Sequence, residues 1–295
     1  MKPATTTGLR DRAGAPVPAH ALFGVAVHAV TMAQAVEVCE AAVEGRRSFT
    51  VGVVNAAKLV NLRRDPALRG AVTACDLVVA DGQAVVWASR LLGAPLPERV
   101  AGIDLFTELL GEASRRSQRV FLLGAAQDVL DLVVQRVNRD YPGVVVVGAQ
   151  HGWFDPSESQ QVAAAVRAAR PDLLFVAMTS PRKELLLDTW SQFMDVPVCH
   201  GVGGSFDVLA GRTRRAPKLW QRWGLEWLYR VGQEPGRLWR RYLVTNTQFV
   251  CLVAAELLRP TSLAQPAPGP GRPPLPPTRS TRPSTSTIDM PQVSA

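Results

Sequence analysis

Residues 77–88 read LVVADGQAVVWA, so that an apolar run, a carboxylate and a helical pattern follow one another without a spacer. Leu77–Ala80 predicts a short strand, and its lack of alternation is typical of strands covered on both faces. Gln83–Leu92 predicts a helix directly after it. Asp81 and Gly82 are therefore expected where a buried strand ends and a helix begins, which is the edge at which open α/β sheets bind ligands.

The same succession of apolar strand and helical pattern runs from residue 20 to residue 210. Further strands are predicted at Phe23–Val27, Phe49–Val54, Val120–Leu123, Val144–Val147, Leu173–Ala177 and Val196–Cys199. Further helices are predicted at Met32–Glu44, behind a Thr31/Gln34 capping box, and at Asp104–Arg115, Asp128–Tyr141 and Ser157–Ala169. This order predicts an α/β fold with a mostly parallel sheet and helices on both faces.

Composition divides the chain into four parts. Residues 1–19 predict a flexible arm, 20–210 the α/β core, 211–258 a helical appendage, and the Pro-rich residues 259–295 a disordered tail that cannot offset the entropy of ordering. The chain has 295 residues, of which 47% are hydrophobic and 20% charged, and this is typical of a globular protein. Phe249–Leu258 is shorter than the roughly 20 residues of a spanning helix. No export signal is found, so the expected compartment is the cytoplasm.

Positive charge and tryptophan are concentrated in the appendage. The segment from Arg212 to Tyr242 contains nine Arg or Lys residues but only two Glu residues, and the whole chain has a net charge of +8. Such a cluster predicts an anionic partner, which can be nucleic acid, an acidic membrane surface or a phosphorylated ligand. Trp220, Trp223 and Trp227 recur at helical spacing. Core packing would explain that spacing alone, but beside arginines it favours a surface helix at a lipid headgroup layer.

Metal chemistry is not indicated by the sequence. The four cysteines, at 39, 75, 199 and 251, lie far apart, and no cluster of histidines completes a ligand set. We therefore expect reduced cysteines, no metal site and no cofactor.

Two polar residues follow predicted strands at the carboxyl edge of the sheet. Asn55 is expected to cap a helix, to bind a sugar or base through its amide, or to do both. Asp81 is expected either to cap the next helix or to act as a general base that takes a proton from an acceptor hydroxyl.

Three further loops at that edge have both a structural and a ligand-binding interpretation. The turn at Gly124 is explained by a tight strand-to-helix connection, although the open amides of the next helix can bind an anion. Ser180 and Pro181 predict a capped helix start, from which Arg182, Lys183 and Glu184 would project toward a ligand. The glycine-rich loop that contains Gly203 and Asp207 permits a close approach of backbone to ligand.

In combination these residues resemble the WecG/TagA/CpsF glycosyltransferases from about Phe23 to Tyr242. The matching motifs are Val54-Asn55, Ala80-Asp81-Gly82, Gly102-Ile103-Asp104, Val120–Gly124, Pro181-x-x-Glu184, Gly203–Asp207 with Ala210-Gly211, Arg215-Ala216-Pro217, Gly224-Leu225-Glu226-Trp227 and Glu234-Pro235-x-Arg237.

The resemblance implies a Rossmann-like fold of the GT-E type and an inverting, metal-independent transfer. The donor would be a UDP-sugar carrying a hexose or an N-acetylhexosamine of the ManNAc type. The acceptor would be an undecaprenyl-diphosphate-linked sugar in the synthesis of a cell-surface polysaccharide or teichoic acid, at the inner face of the cell membrane. Asp81 matches the family's proposed catalytic base and Asn55 lies in the same pocket. Arg215, Arg230 and Arg237 are candidates for a clamp on the lipid diphosphate.

Two positions depart from the family pattern, since Val53 stands where Thr is frequent and Lys183 where Gln is frequent. A lost hydrogen bond shifts specificity by about 1 kcal/mol or more, so a different sugar is compatible with these changes. Two other functions are alternatives. A non-catalytic protein could bind anionic lipid or nucleic acid through its basic face, but no nucleic-acid motif accompanies the charge. An NAD(P)-binding enzyme would carry the full Gly-x-Gly-x-x-Gly fingerprint, which this sequence lacks. The sequence does not determine the oligomeric state, and a homo-oligomer is compatible with it.

Overall fold

The computed structural model describes residues 5–11, 14–233 and 235–258. Its strands are β1 (Thr5–Arg10), β2 (Pro16–Leu22), β3 (Val25–His28), β4 (Phe49–Val54), β5 (Leu77–Ala80), β6 (Arg119–Gly124), β7 (Val145–Gln150), β8 (Leu173–Ala177) and β9 (Val198–Gly201). Its α-helices are α1 (Met32–Glu44), α2 (Ala56–Asn61), α3 (Pro66–Thr73), α4 (Gln83–Leu91), α5 (Gly102–Arg115), α6 (Gln127–Asp140), α7 (Ser159–Ala169), α8 (Arg182–Met194), α9 (Ser205–Leu209), α10 (Lys218–Arg222), α11 (Glu226–Gln233) and α12 (Pro235–Leu258). A short 3-10 helix, Pro156–Glu158, precedes α7.

The core is a six-stranded sheet in the order β5-β4-β9-β8-β6-β7, and all of its pairs are parallel. Helices α1, α5 and α6 pack on one face. The other face is covered by α2, α3 and α4 beside β4 and β5, and by α7 and α8 beside β6 and β8. The predicted parallel sheet with helices on both faces is confirmed.

Local signals account for the elements that agree best with prediction. Every residue of β4, β5 and β8 is buried, as their apolar runs predict. At the start of α1, the Gln34 backbone N–H donates to the Thr31 hydroxyl at 3.2 Å. The Thr31 N–H donates to Oε1 of Gln34 at 2.9 Å, which completes the predicted capping box.

The amino-terminal residues differ from the prediction. Described residues that were assigned to a flexible arm form β1 and most of β2, which pair with β3 in a separate antiparallel sheet. The predicted strand Phe23–Val27 is also wrong at its start, because Phe23 and Gly24 have positive φ values of 55° and 81° and form the turn between β2 and β3. The hairpin is held because Val17 and Ala19 are buried. His28 accepts the Val78 N–H of β5 at 3.0 Å, so this small sheet covers an edge strand of the core.

Helices α10, α11 and α12 follow residue 211, where the appendage is predicted. α12 packs on the core, with its Phe249 ring 5.5 Å from that of Phe23 and with Leu252 buried. Within residues 5–258, as far as they are described, no helix has the length and apolarity needed to cross a bilayer. The predicted tail, residues 259–295, lies outside the described residues.

Candidate active site

The predicted site residues meet along one edge of the sheet, which we call the carboxyl edge. The loops that follow β5, β4, β9, β8 and β6 are neighbours there because the strands are parallel. In that order, these loops and the residues next to them include Asp81 with Gly82, Asn55, Gly203 with Asp207, Arg182 to Glu184, and Gly124. With strands about 4.8 Å apart, Asp81 and Asn55 lie one strand apart and Gly124 lies about 19 Å from Asp81.

Asp81 is fixed by its own backbone rather than by capping a helix. Its N–H donates to the Val54 carbonyl at 2.8 Å, which continues the pairing of β4 with β5. The cap of α4 is Gly82, and no side chain caps that helix. The capping interpretation of Asp81 is therefore wrong, and its carboxylate lies partly buried at the carboxyl edge.

Asn55 caps α2, as predicted. Its Oδ1 accepts the Lys58 backbone N–H at 2.9 Å. A Cβ added at Gly82 would lie 3.6 Å from the Asn55 Cβ, so the loops after β4 and β5 are in contact. Because the cap uses the amide oxygen, a ligand beside Asp81 would meet the Nδ2 donors of Asn55.

Lys183 and Glu184 are buried in the first turn of α8, where they form ion pairs. Nζ of Lys183 and Nζ of Lys58 each lie 2.7 Å from the same Glu184 oxygen, Oε1. All three side chains are at most 12% exposed. Each of Lys183 and Glu184 is held by an oppositely charged buried neighbour, and their contact with a ligand stays a prediction.

These charges perturb each other strongly. Burial raises the pKa of Glu184, but Lys58 and Lys183 outweigh it and lower that pKa to about 2. Burial and the neighbouring Lys58 lower the pKa of Lys183. A cavity of about 20 Å³ beside the three groups is large enough for one water molecule. Lys58, Lys183 and Glu184 therefore form a buried charged cluster next to the loops that carry Asn55 and Gly203.

Arg182 holds a neighbouring loop that the sequence analysis did not single out. The peptide before Pro181 is cis and α8 begins at Arg182 without a side-chain cap, so the predicted Ser180 cap is wrong. The Arg182 guanidinium donates to the Phe154 carbonyl and lies 4.7 Å over the Phe154 ring. The residue before it, Trp153, is 75% exposed at the carboxyl edge after β7. Two consecutive aromatic residues shortly after an apolar strand were the signal that could have identified this loop.

Position 124 requires glycine because of its backbone conformation and its close neighbours. It has a φ of 118°, and a Cβ there would lie 2.4 Å from the Ala177 carbonyl oxygen. This supports the tight-turn interpretation. No side chain caps the following helix, α6, so its first amides remain open toward the carboxyl edge. Gly152, which precedes Trp153, packs against Gly124, since a Cβ there would lie 3.1 Å from the Gly124 Cα.

The loop after β9 leads into the appendage. Gly203 has a φ of 55°, and Asp207 lies on α9. The Asp207 carbonyl accepts the N–H groups of Arg212 and Thr213 at 2.9 and 3.1 Å. Arg212 also pairs with Asp128 of α6 at 2.6 Å. The first residues of the appendage are therefore attached to the core at two points.

Arg215 is held by carboxylates of the core and of the appendage. It binds both oxygens of Asp104 on α5, one of them at 2.7 Å. Glu226 of α11 lies 3.8 Å from its Nε and 2.9 Å from Arg99 of the core. The hydrogen bonds that Arg215 donates to Asp104 are the main cause of a raised pKa at Arg215, and the charges of Glu226 and Asp81 act in the same direction. Arg215 is therefore within electrostatic range of Asp81 but already has partners.

The other two predicted clamp residues, Arg230 and Arg237, lie on α11 and α12. Their side chains are outside the part of the chain that the structure describes. Among the described residues, no three His, Cys, Asp or Glu side chains are grouped to hold a metal ion. Metal independence stays a prediction.

Comparison with known proteins points to one family. The sequence model of the "Glycosyl transferase WecG/TagA/CpsF family" matches residues 20–263. A protein of Bacillus spizizenii named N-acetylglucosaminyldiphosphoundecaprenol N-acetyl-beta-D-mannosaminyltransferase is 39% identical over 180 residues, which is 61% of this chain and 69% of that protein. A protein of Bacillus subtilis with the same name is 37% identical over 172 residues, which is 58% of this chain and 66% of that protein. The aligned part spans about two thirds of each relative.

Proposed function

Because this chain belongs to the WecG/TagA/CpsF glycosyltransferase family and is a glycosyltransferase, we propose that it transfers a sugar from a UDP-sugar to an undecaprenyl-diphosphate-linked sugar. The sugar transferred is N-acetylmannosamine or a close relative of it, and the acceptor sugar is N-acetylglucosamine. The names of the two Bacillus relatives support the acceptor and the transferred sugar.

The observation that carries the mechanism is the position of Asp81. This carboxylate lies at the carboxyl edge, against the Asn55 loop and within electrostatic range of Arg215. In the proposed step, Asp81 takes the proton of the acceptor hydroxyl while that oxygen bonds to the anomeric carbon of the donor. The bond from that carbon to the UDP oxygen breaks, and UDP leaves with the electron pair. A single displacement of this kind inverts the anomeric centre.

The UDP half of the donor is proposed to lie toward β6 and β7. The uncapped amino terminus of α6 offers backbone N–H groups and a positive dipole end to the diphosphate. The exposed Trp153 ring offers a stacking surface for the base. In this orientation the sugar extends from the diphosphate along the carboxyl edge toward Asp81. Developing charge on UDP is then stabilised by helix amides and arginines, and no metal ion is needed.

The appendage is proposed to bind the lipid diphosphate at the inner face of the cell membrane. Arg215 is positioned between core and appendage by Asp104 and Glu226. Arg230 and Arg237 follow it in sequence, on α11 and α12. Bidentate arginines suit a diphosphate, so together they could hold the acceptor while its sugar reaches Asp81.

The proposal is tested by incubating the purified full chain with UDP-N-acetylmannosamine and a short-chain lipid carrying diphosphate-linked N-acetylglucosamine. We expect a disaccharide-lipid product whose anomeric one-bond carbon–hydrogen coupling reports a β linkage, and turnover that is unchanged in EDTA. An α-linked product would overturn the inverting mechanism. Loss of turnover in EDTA that magnesium restores would overturn metal independence. No transfer from any UDP-sugar would overturn the proposed donor class.

A further inference from the structure

Helix α4 of the catalytic core exposes an apolar face. Its residues Val85, Val86, Ala88 and Ser89 are buried against the sheet. On the opposite side Trp87 is 44% exposed and Leu91 is 67% exposed. These two are four residues apart and therefore share one face of the helix. A helix whose outer face meets only water would carry polar residues there.

The turn between α10 and α11 extends this face. A Cβ added at Gly224 would lie 3.2 Å from both the Trp87 ring and the Gln83 Cβ, so the appendage lies directly on α4 at this point. Gly224 has a positive φ of 63°, which suits glycine. Trp223, next to it, is 66% exposed. We call Trp87, Leu91, Trp223 and the exposed Leu225 the α4 patch.

We propose that the α4 patch inserts into the headgroup layer of an anionic bilayer, so that a helix of the catalytic core, together with the appendage, docks the enzyme on its membrane. This inference rests on the proposed function in one respect, which is that the acceptor is a membrane lipid. Tryptophan and leucine on one face are typical of side chains at the membrane interface.

Charge favours an anionic bilayer as the occupant. Arg90 is exposed on α4 and lies between Trp87 and Leu91 in the sequence. Residues 212–242, which include the α10–α11 turn, contain seven more Arg and Lys than Glu residues. In this segment Arg240 lies 5.7 Å over the Trp239 ring, so a cation and an interfacial aromatic side chain are paired on α12 as well. Basic residues next to apolar ones bind anionic headgroups more strongly than neutral ones.

The position of α4 connects docking with catalysis. The helix begins directly after Asp81-Gly82. At 1.5 Å per residue, Trp87 lies about 8 Å and Leu91 about 14 Å along the axis from Gly82. Inserting these side chains would therefore anchor the helix within about 14 Å, measured along its axis, of the Asp81-Gly82 loop. A sugar attached to a lipid diphosphate lies in the same shallow zone above the membrane.

The test compares wild-type protein with the double variant Trp87→Ser/Leu91→Ser. Both positions are exposed, so we expect the variant to fold. Cosedimentation is measured with vesicles of phosphatidylcholine and phosphatidylglycerol in equal parts, and with phosphatidylcholine alone. We expect the variant to partition about tenfold more weakly into the anionic vesicles, which corresponds to about 1.4 kcal/mol of lost apolar burial. The matched control is Trp153→Ser, since Trp153 is an exposed tryptophan after the opposite edge strand, β7, and should partition like wild type.

Insertion itself is read from a probe. Leu91→Cys is labelled with an environment-sensitive fluorophore in a Cys251→Ser background, because Cys251 is the exposed one of the four cysteines. A blue shift on adding anionic vesicles is expected at position 91 and not at a labelled Trp153→Cys control. If the double variant binds vesicles like wild type and the probe does not shift, the inference is wrong. If the wild type is a dimer that the double variant breaks, with vesicle binding unchanged, the patch is covered by a second copy instead.

Transfer assays separate this inference from the proposed function. With a water-soluble short-chain acceptor, the double variant should turn over like wild type. With the acceptor embedded in vesicles, its rate should fall in proportion to its lost binding. Failure of the wild type with every acceptor would overturn the proposed function, while the partitioning and probe results would still decide whether the patch inserts.

Discussion

Replacing Glu184 by glutamine removes the carboxylate that two buried ammonium groups share. In the native structure, Lys58 and Lys183 both lie 2.7 Å from one oxygen of Glu184. Glutamine keeps the size of the side chain and removes its charge. The variant therefore leaves two like charges next to each other, with side chains only 12% and 10% exposed.

Breaking a buried ion pair by removing one partner costs about 3–5 kcal/mol, and we expect a loss in that range. For a chain of this size the midpoint of thermal unfolding should fall by roughly 10 °C. The pKa of Lys183, already lowered by burial and by Lys58, should fall further in the variant. A lysine whose folded pKa lies below its unfolded value makes stability increase with pH up to the unfolded value. The variant should therefore regain part of its stability between neutral and alkaline pH.

The assay is urea unfolding followed by circular dichroism at neutral and at alkaline pH. Lys183→Gln in the Glu184→Gln background removes one of the two stranded charges and should recover stability, giving a coupling energy of at least about 1 kcal/mol. Glu112→Gln, which loses a more exposed pair with Arg115, is the control and should change stability by under about 1 kcal/mol. A Glu184→Gln variant as stable as the control, or additive single and double variants, would show that Glu184 does not hold the two lysines together.

Three further predictions concern other parts of the molecule. Burial lowers the pKa of His28 and of His200 to about 4, so urea unfolding should show stability falling by several kcal/mol as the pH drops from about 6.5 to about 4; a flat profile would contradict this. Asp104→Asn removes the charge that holds Arg215 and should weaken the attachment of the appendage to the core by about 1–2 kcal/mol. The expected result is faster proteolysis after residue 215, and an unchanged cleavage rate would argue against the contact. Trp153→Ala should raise KM for the UDP-sugar about tenfold with kcat nearly unchanged, and an unchanged KM would exclude base stacking there.

The sequence predicted the parts of the fold where local and tertiary preferences agree. The bounds of β4, β5 and β8 are as predicted because both faces of these strands are buried and their residues are uniformly apolar. The amino-terminal hairpin was missed because its stability depends on contacts that are distant in sequence. One of these contacts is the hydrogen bond that the His28 imidazole accepts from the Val78 N–H. No sequence pattern within residues 1–19 predicts this contact.

The candidate site was predicted in part for a related reason. Asp81 and Asn55 each follow a recognisable strand, so the carboxyl-end rule places both at one edge. Burial of Lys183 and Glu184 was missed, because a sequence read locally predicts charged residues at a helix start to be exposed. Lys58 of α2, which is distant in sequence, supplies a second partner for Glu184. The Trp153 loop was missed because Arg182, which holds it, lies 28 residues later in the chain.

Asp81 is proposed to be the base that takes the proton of the acceptor hydroxyl, and the most direct test of this role is transfer by Asp81→Asn. Asparagine keeps the shape and cannot take the proton, so kcat should fall by about 10²- to 10⁴-fold. UDP-sugar binding measured by calorimetry should stay close to wild type, and Asp131→Asn, at an exposed carboxylate on α6, should turn over normally. An Asp81→Asn enzyme whose kcat stays within about threefold of wild type would contradict the account.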